Sequence, residues 1–443
     1  MNLSKNKMAT LEICIIGIDS IRPSSSTPIQ LKTFNLSLLD QLAPATYIPV
    51  LLFYTTSDLT AAAGRTLQLK KSLSETLTRF YPFAGRIKDN FSIDCNDDGA
   101  GFTEAQVSCF LSDILKAPDH EVLKQLLPIN CESFIEGRGC VLHVQANYFK
   151  CGGIGLGICL SHKIADAATL STFLRSWANT ASGISEKVCP IFNAASMTPP
   201  RDISMTPPTL ENLNKIRDDK SVTKRYVFNG SKMTALKAKA PSLSVKQATK
   251  VEIVAALIWK CAMKASRTNF GSSSRLSALY QNVNIRNRTV PPLPNDSVGN
   301  FVGSFIATAE DTEAELHGLV SELRKGIEEF CKKANRLPLS EDISVICEPQ
   351  MEAMRMLTSD DMALYACTSW CRFPLYEAAD FGWGKPVWMS SCIPPAKNMV
   401  FLMDTKGGDG IESWVRLSQE DMKLFECDQE LLAYASLNPS ITY

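Results

Sequence analysis

Ser161-His162-Lys163-Ile164-Ala165-Asp166 places one of only four histidines four residues ahead of a carboxylate. An imidazole, with an ordinary pKa of about 6.5, suits proton transfer near neutral pH. Three other chemistries compete with a general base. Zinc could take His162 and Asp166 from one helical face, but it needs three or four ligands. His120, His143 and His317 are isolated, and no Cys pair stands at ligand spacing. Ser161 lacks the Gly-x-Ser-x-Gly surroundings of an activated nucleophile, and adjacent strand residues point to opposite faces. Cys151-Gly152-Gly153-Ile154-Gly155-Leu156-Gly157 is glycine-rich, yet it has neither the Lys nor the Ser/Thr of a phosphate loop. It also runs into a strand where a dinucleotide loop would open a helix. A base at His162 therefore stands against one plainer reading, a structural histidine.

A second cluster lies downstream, Asp380-Phe381-Gly382-Trp383-Gly384-Lys385-Pro386. Two glycines around a tryptophan describe a tight turn with unusual dihedrals, so its first reading is structural. Asp380 could also anchor an arginine, and Arg286 in Asn282-Val283-Asn284-Ile285-Arg286 is the candidate.

The elements around these residues follow from periodicity. Gly155 to Leu160 reads as a buried strand and Asp166 to Ala181 as an amphipathic helix, so His162 falls at a strand-to-helix junction, where side chains commonly reach a cleft. Further strands are expected at 11–18, 47–54 and 141–149, and a helix at 62–80. From about Pro190 to Lys220 the chain is Pro-rich, with Ser196-Met197-Thr198-Pro199-Pro200 repeated as Ser204-Met205-Thr206-Pro207-Pro208. Such proline density stops regular structure and marks a connector. Beyond it come a strand at 224–228, a helix at 251–265 opened by a capping box at Thr249 and Glu252, and strands at 276–283 and 301–307. A helix at 312–333, strands at 399–404 and 411–417, and a last helix capped by Ser418 complete the pattern. The expectation is an α/β protein with an N-terminal domain over 1–189, a crossover linker over 190–223 and a C-terminal domain over 224–443.

A chain of 443 residues is long for one core and divides naturally into two. Its 46 basic and 46 acidic side chains balance, which argues against a nucleic-acid partner, since phosphate binding calls for a basic excess. Fifteen cysteines, an odd number without metal rhythm, read as reduced thiols of a cytoplasmic protein. The polar first ten residues have no signal-peptide core, and the apolar run at 13–18 is too short to span a bilayer. No membrane partner is expected.

His-x-x-x-Asp at 162–166 and Asp-Phe-Gly-Trp-Gly at 380–384, in this order and on either side of a Pro-rich connector, resemble the paired signatures of the plant BAHD acyl-CoA-dependent acyltransferases. Tyr81-Pro82-Phe83-Ala84-Gly85-Arg86, Cys151-Gly152-Gly153, Val283-Asn284-Ile285-Arg286 and Thr368-Ser369-Trp370 extend the likeness over nearly the whole chain. Leu36-Ser37-Leu38-Leu39-Asp40-Gln41 is most similar to the branch that acetylates alkaloids and, in other members, volatile alcohols. One departure is Ala167, where many members have glycine.

The resemblance implies two chloramphenicol-acetyltransferase-like domains, each a mixed sheet with helices, and a channel between them with His162 midway. It implies a monomer with no bound cofactor, acetyl-CoA as co-substrate and a small-molecule alcohol as acceptor. His162 would be the general base, a role contributing roughly 10²–10⁴-fold, and Trp370, with Thr368 nearby, would meet the oxyanion. Asp166 would turn away from His162 to pair with Arg286, and Asp380, Gly382, Trp383 and Gly384 would belong to the same structural set. The phosphates of CoA need cations, and Lys220, Lys224, Lys246 and Lys250 are candidates; a solvated charged face explains them equally well. The leading function is O-acetylation of an alkaloid hydroxyl. Alternatives are a terpenoid or volatile alcohol as acceptor, a benzoyl or longer acyl donor, and a catalytically silent ligand binder.

Overall fold

The computed structural model of the protein describes residues 11–56, 61–130, 139–202, 220–239, 245, 247–270, 276–310, 315–335, 343–357, 362–394 and 396–443. Lys246, the second Ser-Met-Thr-Pro-Pro copy, the polar first ten residues and the start of the 312–333 helix lie outside these.

Two mixed sheets carry the fold. The first has the order Ile13–Ile21, Ala100–Val107, Leu142–Phe149, Ile154–Ser161, Tyr47–Tyr54, Trp388–Ser390. Only the pairing of Ala100–Val107 with Leu142–Phe149 is parallel. Ile154–Ser161 is buried along its entire length, which explains why it reads as an unbroken apolar run rather than an alternating one. The helices Ala61–Arg79 and Ala167–Ala181 pack together beside this sheet, contributing Leu69, Leu73, Leu77, Leu170, Phe173, Leu174 and Trp177 to the first core.

The second sheet runs Val302–Glu310, Leu276–Asn284, Met362–Ser369, Met399–Asp404, Ile411–Ser418, Ser221–Phe228, Ser436–Leu437. Behind it lies the helix Lys250–Phe270, whose residues from Ile253 to Met263 are almost all buried in a second core. Thr249 and Glu252 form the expected capping box: the Glu252 N–H donates to Thr249 Oγ1 at 3.2 Å and the Thr249 N–H to Glu252 Oε2 at 2.7 Å. Ser418 caps the helix Gln419–Phe425, but a further short helix, Gln429–Tyr434, follows it.

Sequence order and spatial order part company in two places. Trp388–Ser390, from the second half, hydrogen-bonds to Phe53, Leu52 and Leu51 as the edge strand of the first sheet, and Leu375, Phe381, Met389 and Ile393 are buried in the first core. Conversely, Leu38 and Leu39 of the short helix Leu38–Leu42 sit in the second core. The connector is not structureless at its start either. Ile191 pairs with Ser297, Ala194–Met197 is helical, and the strand ending at Phe228 begins at Ser221. Seven strands among the described residues have no counterpart in the periodicity reading: Thr33–Asn35, Arg86–Ile87, Ser92–Asp94, Ala100–Val107, Met362–Ser369, Trp388–Ser390 and Ser436–Leu437.

Candidate active site

His162 extends the ladder of the first sheet by one residue. Ser161 pairs with Tyr47, and the His162 N–H donates to the Thr46 carbonyl at 2.8 Å. The chain then turns, with the Ile164 N–H reaching the Ser161 carbonyl, and Asp166 becomes the N-cap of Ala167–Ala181 by accepting from the Thr169 N–H at 2.9 Å. The half-buried imidazole thus has its backbone held from both sides. Burial lowers its pKa from the ordinary 6.5, against opposing contributions from its hydrogen bonds and from Asp166.

Nδ1 of His162 lies 2.9 Å from Oδ1 of Asn300. The other end of that amide, Nδ2, donates to the His162 carbonyl at 2.6 Å and to Oδ1 of Asp40 at 2.9 Å. A backbone carbonyl can only accept, so the amide cannot be turned over, and Oδ1 must face the ring. In the neutral ring Nδ1 therefore carries the proton and Nε2 is left unprotonated. Asp40 is buried and meets four donors: Asn300 N and Nδ2 on Oδ1, Ser37 N and Oγ on Oδ2. Burial raises its pKa, and those four hydrogen bonds pull it back.

Asp166 does not touch the imidazole through its carboxylate hydrogen bonds. Its Oδ2 takes Nη1 of Arg286 at 2.6 Å and its Oδ1 takes Nη2 at 3.0 Å, a bidentate pair in which both side chains are buried. Arg286 also donates to the carbonyls of Ser297 and Gly299 and lies 4.8 Å over the Phe301 ring, while the Phe301 N–H donates to Asp166. Thr169 clamps Gly299 by both its N–H and its carbonyl. The result is a strap, residues 297–301, tied to the helix that starts at Asp166. Gly299 has φ +137°, and a Cβ there would meet Ala194 Cβ at 2.9 Å, so only glycine fits.

Lys163, next in sequence, is buried as well. Its Nζ donates to the carbonyls of Gln41 and of the C-cap Ala43, where the helix Leu38–Leu42 runs out of intrahelical donors, and burial lowers its pKa to about 8.

Asp380 does not pair with Arg286, the arginine that its motif taken alone offered as a candidate; Arg286 goes to Asp166, the partner that the resemblance implied. The Oδ1 of Asp380 accepts from the N–H groups of Gly382 and Gly384 at 2.9 and 3.0 Å, which closes its own turn. Both glycines have positive φ, +90° and +91°. Trp383 donates from Nε1 to Gln68, Gln68 donates to the carbonyls of Ala181 and Phe381, and Phe381 packs edge-on against Trp177. The turn therefore docks at the far end of the 15-residue helix Ala167–Ala181, a length of roughly 22 Å from the end next to His162. Its Phe381 is buried in the first core and Trp383 packs against it.

Thr368 is the penultimate residue of the strand Met362–Ser369, and Trp370 stands just past its end with its N–H on the Leu402 carbonyl. Spaced two apart on extended chain, the two side chains share one side. The Trp370 ring meets Phe401 edge-on at 5.0 Å and joins the first core although its strand belongs to the second sheet. Among the described residues its indole N–H has no hydrogen-bond partner. Of the four lysines, Lys224 is paired with Glu426 and Lys250 with Asp404 at 3.0 Å. A phosphate would have to compete with those carboxylates. Lys220 is exposed.

The family model described as Transferase family matches residues 11–432. The chain belongs to this family, the BAHD acyltransferases. It is 36% identical to limonoid 21-O-acetyltransferase of Melia azedarach over 97% of this chain and 100% of that one. With stemmadenine O-acetyltransferase of Catharanthus roseus it shares 38% identity, covering 94% and 96%. The crystal structure of vinorine synthase superposes with a TM-score of 0.84 at 34% identity, over 97% of this chain and 100% of that one. The protein is an acyl-CoA-dependent O-acyltransferase with acyl-CoA as co-substrate.

Asn300, Asp40 and Lys163 are site residues that sequence reading passed over. Ser37-x-x-Asp40 carries a capping-box spacing that was there to be read. Asn300 had no signal, because its partners come from two distant segments.

Proposed function

We propose that the protein transfers an acetyl group from acetyl-CoA to a hydroxyl of a plant specialised metabolite, with an alkaloid alcohol first and a limonoid alcohol second. The observation that carries this reading is the half-buried His162 whose Nδ1 is engaged and whose Nε2 is left to accept a proton. In a ternary complex the acceptor oxygen forms a bond to the thioester carbonyl carbon while its proton passes to Nε2. Collapse of the tetrahedral oxyanion breaks the carbon–sulfur bond, and the proton goes on to the CoA thiolate. The products are the acetate ester and free CoA. Trp370, through its indole N–H, is the donor proposed for the oxyanion, with Thr368 beside it. Lys220, Lys224, Lys246 and Lys250 remain the proposed cations for the CoA phosphates. Acceptor chemistry follows from relatives whose names specify stemmadenine and limonoid acetylation. A cytoplasmic monomer is also proposed; among the described residues no helix is long and apolar enough to cross a membrane.

The test is mass-spectrometric detection of product when the purified protein meets acetyl-CoA and a panel of indole alkaloid, isoquinoline alkaloid and limonoid alcohols, with His162→Ala in parallel. An acetylated product lost in the variant is the expected result. Bound acetyl-CoA with no product from any alcohol would overturn the acetyl-transfer reading in favour of another donor or of a silent binder.

A further inference from the structure

His162 is held by a group that no motif contains. Asn300 reads the histidine twice, accepting from the ring and donating to its backbone carbonyl. It can do so only in one orientation, and Asp40 enforces that orientation by accepting from both its N–H and its Nδ2. Ser37 in turn fills the second oxygen of Asp40. Asn300 also lies within the strap 297–301, whose other residues Ser297, Gly299 and Phe301 are all bonded to Arg286, Thr169 or Asp166. The carboxylate of the His-x-x-x-Asp motif thus reaches the ring indirectly, through the strap.

We propose that Asn300 is the positioning residue that holds His162 in the Nδ1–H tautomer, locked from one side by Asp40 and from the other by the Asp166–Arg286 tie on its strap. This rests on the reading of His162 as the base. The physical argument is that an imidazole free of constraint favours the proton on Nε2, which would leave the nitrogen needed for catalysis occupied. The tautomer is set by the hydrogen bond that the other nitrogen makes. A neutral amide does this without adding charge, whereas a carboxylate in its place would raise the pKa that burial lowers. The network spans both halves of the chain, so the base is assembled only when they are docked.

The experiment is nitrogen NMR of the whole protein labelled with ¹⁵N-histidine at pH 8, where the four rings are few enough to resolve. The His162 signals are assigned by their loss in His162→Ala. Wild-type protein is expected to show a protonated Nδ1 and a bare Nε2 at position 162. In Asn300→Ala the protonated nitrogen becomes Nε2, kcat falls by about 10²-fold or more, and KM for acetyl-CoA stays within about two-fold, as for a group that acts only on the transition state. Asp40→Asn, which keeps the side-chain shape, is expected to give a mixture of tautomers and an intermediate kcat. If Asn300→Ala does not fold, Asp40→Asn carries the test by the same readout. A wild-type ring protonated on Nε2, or a folded variant that keeps Nδ1–H and full kcat, overturns the proposal. Turnover surviving in His162→Ala would instead sink the base itself, and the spectrum would still judge the network.

Discussion

Asp166→Asn separates the structural from the chemical meaning of the His-x-x-x-Asp motif. The change removes one charge from a pair in which Arg286 and Asp166 are 1% and 5% exposed. It keeps an oxygen for the Thr169 N–H, so the helix cap survives. What is lost is compensation for a buried guanidinium, which costs about 3–5 kcal/mol when a partner is deleted. Arg286 retains the carbonyls of Ser297 and Gly299, which places the expected loss at the lower end, about 3 kcal/mol. Asp166→Ala adds about 1 kcal/mol for the cap. Against a stability that for most proteins is about 5–15 kcal/mol, the alanine variant loses a large share. Urea denaturation followed by tryptophan fluorescence and by residual activity reads this directly. The midpoint is expected to fall in Asp166→Asn, turnover to fall with it as the strap loosens, and Asp166→Asn combined with Arg286→Met to regain part of the midpoint because no uncompensated charge remains. An unchanged midpoint and full turnover in Asp166→Asn would refute the ion-pair role.

Three further outcomes are expected. Burial lowers the His162 pKa from 6.5, so the imidazole stays neutral as pH falls past 6.5 and protonates only below it. The acid limb of kcat/KM should therefore lie below pH 6.5, and a limb above 7 in a pH–rate profile would contradict the assignment. Gly382→Ala and Gly384→Ala each force a side chain into positive φ, costing about 1–2 kcal/mol; melting temperature drops while kcat of the folded fraction holds, because the turn lies at the opposite end of the helix from His162. Trp370→Phe keeps the ring but loses the indole N–H, and steady-state kinetics should show kcat down by about 10²-fold with KM for acetyl-CoA little changed; equal kcat would remove Trp370 from the oxyanion role.

Local patterns were legible in the sequence because their causes are local. The apolar run ending at Leu160, the helix after Asp166, the capping box at Thr249 and the serine cap at Ser418 depend on residues a few positions apart, and each stands where periodicity and capping chemistry put it. The two motifs, read together, also carried the family. Strands with weak alternation were not legible: Ala100–Val107 includes Gly101, Thr103, Glu104 and Gln106, and Trp388–Ser390 is three residues long. Such segments become strands because a neighbouring edge offers unpaired N–H and carbonyl groups, which is a property of the partner.

Spacing by itself could not assign pairings across distance; for Arg286 only the family resemblance named Asp166. A charge-balanced chain offers Arg286 many carboxylates, and spacing could not choose Asp166 over Asp380; burial chose, because only Asp166 is brought to the guanidinium in a place without water. The same holds for the proposed base. His162 is visible in the sequence as a histidine at a strand-to-helix junction, but which of its nitrogens carries the proton depends on Asn300, 138 residues away, and on Asp40, 260 residues from Asn300. Sequence alone determined that an imidazole would stand at the end of a buried strand. The docking of two cores decided its protonation, because a hydrogen bond takes its direction from atoms in contact and not from positions along a chain.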